Sequence, residues 1–354
     1  MRTPGDIRPL LEAAKDRLLI LDGAMGTAIQ ALKLTEDDYR NAALKTNSHD
    51  LKGNQDILNL TAPDKIRVIH EAYLGAGADI IETNTFNGTS ISQSEYSTEN
   101  FSFEINFEGA RLARLAADKF EKRDGRPRYV AGALGPTNKT LSVSPDVSDP
   151  AYRAVSFDEV RSSYYEASKG LVEGGVDFLL IETIFDTLNA KTALFAIEDL
   201  KADLGRDIPV ALSLTVTDLS GRTLSGQTVE AFWYSIRHAK PFAVGLNCAF
   251  GAQDLRPFVA EFSKIADTLL LAYPNAGLPN ELGEYTETPD ITASELLEWA
   301  NSGFLNIVGG CCGTTPDHIR AIAEAVKDCP SRLVPKHKPS LRLAGLEAAT
   351  IVNQ

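Results

Sequence analysis

The sequence predicts a single (β/α)8 barrel. Eight short β-rich runs alternate with segments of helical periodicity, the runs are apolar almost throughout, and the longest polar stretches follow runs rather than precede them. An open doubly wound sheet shares the local pattern, and the count of eight favours closure. A barrel alone takes about 250 residues and tolerates insertions beyond about 400, so 354 residues fit one domain. That domain is expected over 1–334, with long loops over its C-terminal face.

In chain order the runs are LLILDGA from Leu18, ADIIETNT from Ala78, YVAGALG from Tyr129, FLLIETI from Phe178, PVALSLTV from Pro209, AVGLNCA from Ala243, LLLAYPNAG from Leu269 and LNIVGGCCG from Leu305. Their lack of alternation suits parallel strands covered on both faces. Between them, TAPDKIRVIHEAYLGAGA places Pro63 near a helix start and glycines beyond its end. TTPDHIRAIAEAV offers Thr315 as N-cap and Pro316 as first helical residue, with Ile319, Ile322, Ala323 and Val326 on one face. The long polar stretches, Leu34 to Asp56, Pro136 to Phe157 and Leu278 to Ser294, would gather where barrels build binding sites. The tail from Pro335 is basic and proline-punctuated, then apolar without completing another unit.

Composition narrows the partners. A net charge of −13 with scattered basic residues disfavours nucleic acid and anionic lipid. The N-terminus carries charges where a signal peptide needs an apolar core, and no stretch approaches the ~20 apolar residues of a membrane span; a cytoplasmic protein is expected. The four cysteines include the adjacent pair Cys311 and Cys312, a poor disulfide framework in so long a chain, so metal or chemistry is the better reading.

Cys248 ends the sixth run, and Cys311 and Cys312 end the eighth, so all three thiols would converge on one rim. Vicinal cysteines on a regular strand point to opposite faces, and both reach one ion only if the backbone leaves extended geometry, which Gly309, Gly310 and Gly313 permit. Three soft thiolates suit Zn2+, one per chain, with the fourth position open to a substrate. Three thiolates and Zn2+ leave a net negative centre, which favours a thiol substrate over activated water. A free thiol of pKa ~8.5 is already about 3% ionised at pH 7, so ionisation alone adds only about thirtyfold and positioning must supply more. The bland alternative is buried cysteines or a structural zinc. Cys329, after the last helix pattern, takes no role.

Asp22 and Glu182 end the first and fourth runs, where they could hold an ammonium group, and Gly23 with Gly26 exposes backbone N–H groups for a carboxylate. Turn capping and rim salt bridges are the competing explanations. Asn84 and Asn275 offer polar contacts or merely turns. No Gly-Lys-Ser/Thr loop or Gly-x-Gly-x-x-Gly follows the first run, the five histidines lack ligand spacing, and no lysine ends a strand for a Schiff base.

Together LLILDGAMGT, AGADIIETNTFN, VAGALGPTN, LSVSPDV, LLIETIFDTLNAK, GRTLSGQT, GLNCA, YPNAGLPN and NIVGGCCGTTPDHI, from Leu18 to Ile319, resemble the homocysteine-binding module of cobalamin-dependent methionine synthase, within the zinc-dependent homocysteine S-methyltransferase superfamily. The resemblance implies zinc on Cys248, Cys311 and Cys312 and L-homocysteine bound as a thiolate. It also implies amino-acid contacts at Asp22 and Glu182, with Asn275 and the Gly23 loop beside them. The methyl donor would be methylcobalamin, recharged from 5-methyltetrahydrofolate, with folate-, cobalamin- and reactivation modules outside this sequence. RLAGLEAATI is similar to the junction entering the folate module, so 335–354 is expected to be a linker toward it. The alternatives are a self-sufficient enzyme using betaine or S-methylmethionine, and a non-catalytic binding module with structural zinc.

Overall fold

The computed structural model describes residues 3–351; the first two residues of the expected barrel segment and the last three of the expected linker lie outside them. Strands β1 (Leu19–Ile20), β2 (Ile80–Glu82), β3 (Tyr129–Leu134), β4 (Phe178–Ile184), β5 (Val210–Leu214), β6 (Ala243–Asn247), β7 (Leu269–Tyr273) and β8 (Ile307–Val308) are all parallel. They pair in the order β1-β8-β7-β6-β5-β4-β3-β2. A parallel bridge from Leu21 to Ile80, with the Asp79 N–H donating to Ile20 O at 2.8 Å, joins the ends of that order and closes the ring. Every expected run is therefore a strand of one (β/α)8 barrel.

Period-2 alternation is present but invisible in the sequence, because both strand faces are buried. In β4, Leu179 and Ile181 pack toward the helices while Phe178 and Leu180 point into the barrel. The interior is filled by Leu19, Leu21, Ile80, Ala131, Phe178, Leu180, Ala211, Ala243, Leu271 and Ile307. Helix α1 (Arg8–Asp16) closes its N-terminal end with Leu10 and Ala14. At Gly245 the strands approach so closely that a Cβ would stand 1.7 Å from Leu271 O, so no other residue fits. Two residues further up the same inward columns the chemistry changes. Glu82, Glu182, Ser213 and Asn247 replace the apolar residues, and the site begins there.

Around the barrel run α2 (Met25–Ala31), α3 (Pro63–Ala76), α4 (Ser102–Asp124), α5 (Phe157–Gly174), α6 (Thr187–Leu204), α7 (Val229–Ile236), α8 (Ala252–Ile265), α9 (Pro289–Asn301) and α10 (Pro316–Val326). None is long and apolar enough to cross a membrane. Helix α3 ends at Gly77 with φ +115°, and α10 starts on Thr315, whose capping box is completed by His318. Helix α9 starts inside the stretch expected to stay irregular through Ser294, since Thr288 occupies the N-cap position and Pro289 the first helical turn.

The tail contains a hairpin absent from the sequence reading. β9 (Leu341–Ala344) and β10 (Ala348–Ile351) pair antiparallel against α7, with the Thr228 N–H donating to Leu346 O at 3.0 Å and Arg342 lying 5.3 Å from the Tyr234 ring centre. Its polar residue Arg342 meets the barrel, while Leu341, Leu343, Leu346 and Ile351 remain about half exposed. That reversal of the usual pattern hid it from a search for buried apolar runs.

Candidate metal and substrate site

The loops leaving β6 and β8 bring three sulfurs together. Cys248 Sγ lies 3.9 Å from Cys312 Sγ, Cys311 Sγ lies 4.0 Å from Cys312 Sγ, and all three fall within 4.8 Å of one another. Tetrahedral bonds of about 2.3 Å to zinc place sulfurs about 3.8 Å apart, so the cluster has the spacing of a three-thiolate zinc site with one position left over. Among the described residues no other group of His, Cys, Asp or Glu gathers closely enough to hold a metal ion.

Backbone strain builds this geometry. Cys248 and Ala249 adopt φ +60° and +64°, a left-handed conformation costing about 1–2 kcal/mol per L-residue. The Cys311–Thr314 turn departs from extended geometry through Gly313 at φ +82°, and both the Thr314 N–H and its hydroxyl donate to Cys311 O at 3.1 and 2.7 Å. The Cys311 N–H donates to Pro274 O at 2.7 Å, and the Ala276 N–H donates to Cys312 O at 2.9 Å, anchoring the pair to the loop after β7. Glycine relieves strain where expected in the second segment; the strained Cys248–Ala249 step has no glycine to announce it.

The three thiols share charge unequally. Hydrogen bonds from Cys248 and Cys311, joined by Tyr285, hold Cys312 down to about 3. Cys311 is pushed well up by its bonds to Cys248 and Cys312 and by burial. Tyr285 comes from the polar loop before α9, and its Cβ sits where a side chain on Gly313 would have to go.

Beside the sulfurs lies a cavity of about 390 Å³, within the range of small-molecule sites. Asp22, Glu82 and Glu182 line it together with Cys248, Cys311, Cys312 and Tyr285. Asp22 accepts the Glu82 N–H at 3.0 Å, and Glu182 accepts the Tyr273 hydroxyl at 3.3 Å; none of the three carboxylates makes an ion pair among the described residues. The rim salt bridge considered for Glu182 is thus not formed. Burial raises all three, Glu182 to about 8, with mutual repulsion adding to Asp22 and Glu82. Oε1 of Glu82 is buried without a hydrogen-bond partner. Asp56, also lining the cavity, is raised by burial to about 7 while accepting the Asn87 N–H at 2.8 Å.

Gly23 lines the cavity, and a Cβ there would stand 2.8 Å from Thr314 Oγ1 and 2.9 Å from Tyr73. The first turn of α2, at Met25, Gly26 and Thr27, also faces the cavity and has no side-chain cap. Asn84 lines it too, donating to Gln55 O at 2.9 Å and Asn59 Oδ1 at 3.1 Å. Asn275 is buried beside the cysteine loops rather than on the cavity wall; its N–H donates to Phe250 O at 3.0 Å and its Oδ1 has no partner. Cys329 is buried elsewhere, its thiol 3.7 Å from Asn301 Oδ1. Sequence reasoning missed Glu82, Asp56 and Tyr285. A signal existed for the first: Glu82 holds the same place in IIETN that Glu182 holds in LIETI.

The family described as homocysteine S-methyltransferase matches residues 19–326. Among solved structures, the metallated form of the homocysteine methyltransferase MmuM from Escherichia coli superposes with a TM-score of 0.69 at 22% identity, covering 90% of this chain and 99% of that one. Its oxidized form gives 0.69 at 22%, covering 90% and 98%, and its apo form 0.62 at 21%, covering 90% and 99%. At such identities the likeness speaks for the fold.

Proposed function

The chain belongs to the homocysteine S-methyltransferase family, and on that premise we propose that it binds L-homocysteine beside a zinc ion held by Cys248, Cys311 and Cys312 and presents the sulfur for methylation to methionine. The observation that carries this reading is the sulfur trio, spaced for zinc and opening onto a cavity lined by carboxylates with no cation. Zinc, when bound, supplies a Lewis acid that lowers the pKa of an incoming thiol.

The chain's own residues do the rest. Asp22 and Glu182, with Glu82 beside them on the cavity wall, provide carboxyl groups that would ionise against the ammonium group as it enters. The uncapped first-turn N–H groups of α2 suit the carboxylate, with the Gly23 loop lining the cavity beside them. Asn275, off the cavity wall beside the cysteine loops, would add an acceptor through its unpartnered Oδ1. Amine and sulfur ends held at fixed separation orient the nucleophile, the larger part of the rate gain.

For the donor we propose methylcobalamin carried by further modules, with 335–354 leading toward them. Supporting this are the motif resemblance, the exposed Phe86, Val147, Leu219 and Leu282 on loops at the C-terminal face, and the outward apolar face of the hairpin. A second reading, direct transfer from S-methylmethionine or betaine, is favoured by one observation: nearly the whole of a homocysteine methyltransferase chain is covered by this one barrel. Incubating the zinc-loaded protein with L-homocysteine and each donor separates them. Methionine formed from free methylcobalamin but not from S-methylmethionine or betaine supports the first reading; the reverse overturns it.

A further inference from the structure

Asn247 stands at the joint between the sulfur end and the carboxylate end of the site. Its side chain is fully buried, and each of its hydrogen-bonding positions is engaged. Oδ1 accepts the Thr183 N–H at 3.0 Å and the Ser213 hydroxyl at 2.6 Å. Nδ2 donates to Thr183 Oγ1 at 2.8 Å and reaches Cys311 Sγ at 3.9 Å. The amide cannot be turned over, because that would set its NH2 group against the Thr183 N–H. An N–H donor is therefore fixed toward the Cys311 sulfur.

Thr183 adopts φ +54°, an outlier for a β-branched residue, and the β4–β5 register shifts between Ile181 and Ile184. On a regular strand Glu182 and Thr183 would point to opposite faces, yet both line the cavity. The two bonds between Asn247 and Thr183 hold the conformation that makes this possible.

We propose that Asn247 is a positioning residue joining the two halves of the site: its amide holds the Thr183 bulge that aims Glu182 into the cavity and keeps an N–H donor on the Cys311 sulfur. The inference rests on the zinc reading above. Hydrogen bonds to the atoms that hold a metal orient them and tune its affinity, and an N–H near sulfur favours the ligating thiolate.

Asn247→Asp tests it, since the variant keeps the shape and both acceptor contacts but sets an oxygen where Nδ2 faces Cys311. On the full chain, Zn2+ affinity measured by chelator competition should fall about 10–100-fold. With Co2+ in place of Zn2+, the sulfur-to-cobalt absorption band should shift while circular dichroism and cooperative unfolding stay as in the wild type. Ser213→Ala, which loosens the same amide without adding charge, should weaken Zn2+ binding a few-fold. A folded Asn247→Asp protein with Zn2+ affinity within twofold of wild type and an unshifted band overturns the inference. Should that variant fail to fold, unchanged affinity and band in Ser213→Ala overturn it instead. Wild-type protein without Zn2+ affinity would overturn the zinc reading and this inference together; wild-type binding with an indifferent Asn247→Asp removes only the inference.

Discussion

Two strands of this barrel carry carboxylates at both ends, and the ends treat them oppositely. At the N-terminal end, Asp79 before β2 accepts from both terminal guanidinium nitrogens of Arg17, at 2.8 and 2.9 Å, and from Arg126 at 3.1 Å. Asp177 before β4 pairs with Arg114 and accepts the Val130 N–H at 2.8 Å. At the C-terminal end of the same strands Glu182 is buried and Glu82 half-buried with its Oε1 enclosed, and neither makes an ion pair among the described residues. Paired carboxylates lock strand ends together; unpaired ones hold a proton until a positive ligand replaces it. The lesson is that carboxylate burial alone does not distinguish structure from function. The presence or absence of a counter-charge does.

The largest effect is expected at the sulfur trio. Cys312→Ala should take zinc from about one per chain to near zero and abolish methionine formation with the barrel still folded, as metal analysis and thermal unfolding would record. Loss of cooperative unfolding would count against the separation of rim from core. Glu182→Gln comes next: removing a charge-assisted contact to an ammonium group should weaken homocysteine binding about 10–100-fold by calorimetry, without loss of stability. At the opposite end, Asp79→Ala should cost about 2 kcal/mol in urea unfolding and leave homocysteine affinity unchanged. It strands the buried Ile20 N–H, though Arg17 and Arg126 can still reach water.

A pH scan sharpens the contrast. The native-state value of Glu182, about 8, lies above its ordinary 4.5, so between those limits the folded protein keeps a proton that the unfolded chain releases. This group's contribution must therefore fall as pH rises from about 4.5 through 8, and Glu182→Gln should flatten that part of the stability profile. The smallest effect is expected of Tyr285→Phe. Removing one hydroxyl donor from Cys312 should change zinc affinity only about fivefold, readable by the same chelator competition.

The strands were legible because parallel strands buried on both faces leave continuous apolar runs, and α10 was legible because Thr315-Pro316 is a local signal. The three cysteines could be placed on one rim from strand order alone. What stayed hidden depends on conformations the residue types do not announce: the left-handed Cys248, Ala249 and Thr183, and the reach of Tyr285 across from its own loop. Glu82 was overlooked for a different reason. It closes β2 in the same Ile-Glu-Thr triplet that carries Glu182 in β4, and only setting the two strands side by side singles it out. The tail hairpin escaped because its apolar side faces outward.

The most direct test of the central claim is zinc content combined with proton release on adding L-homocysteine at pH 7, with L-2-aminobutyrate as a thiol-free control. Ammonium entry beside Glu182 should displace a carboxylate proton with either ligand, so the thiol is read from the difference. The account predicts about one zinc per chain and about one additional proton for homocysteine beyond bulk thiol ionisation. One zinc with equal proton release for both ligands would mean a metal that does not meet the substrate sulfur, and would contradict it.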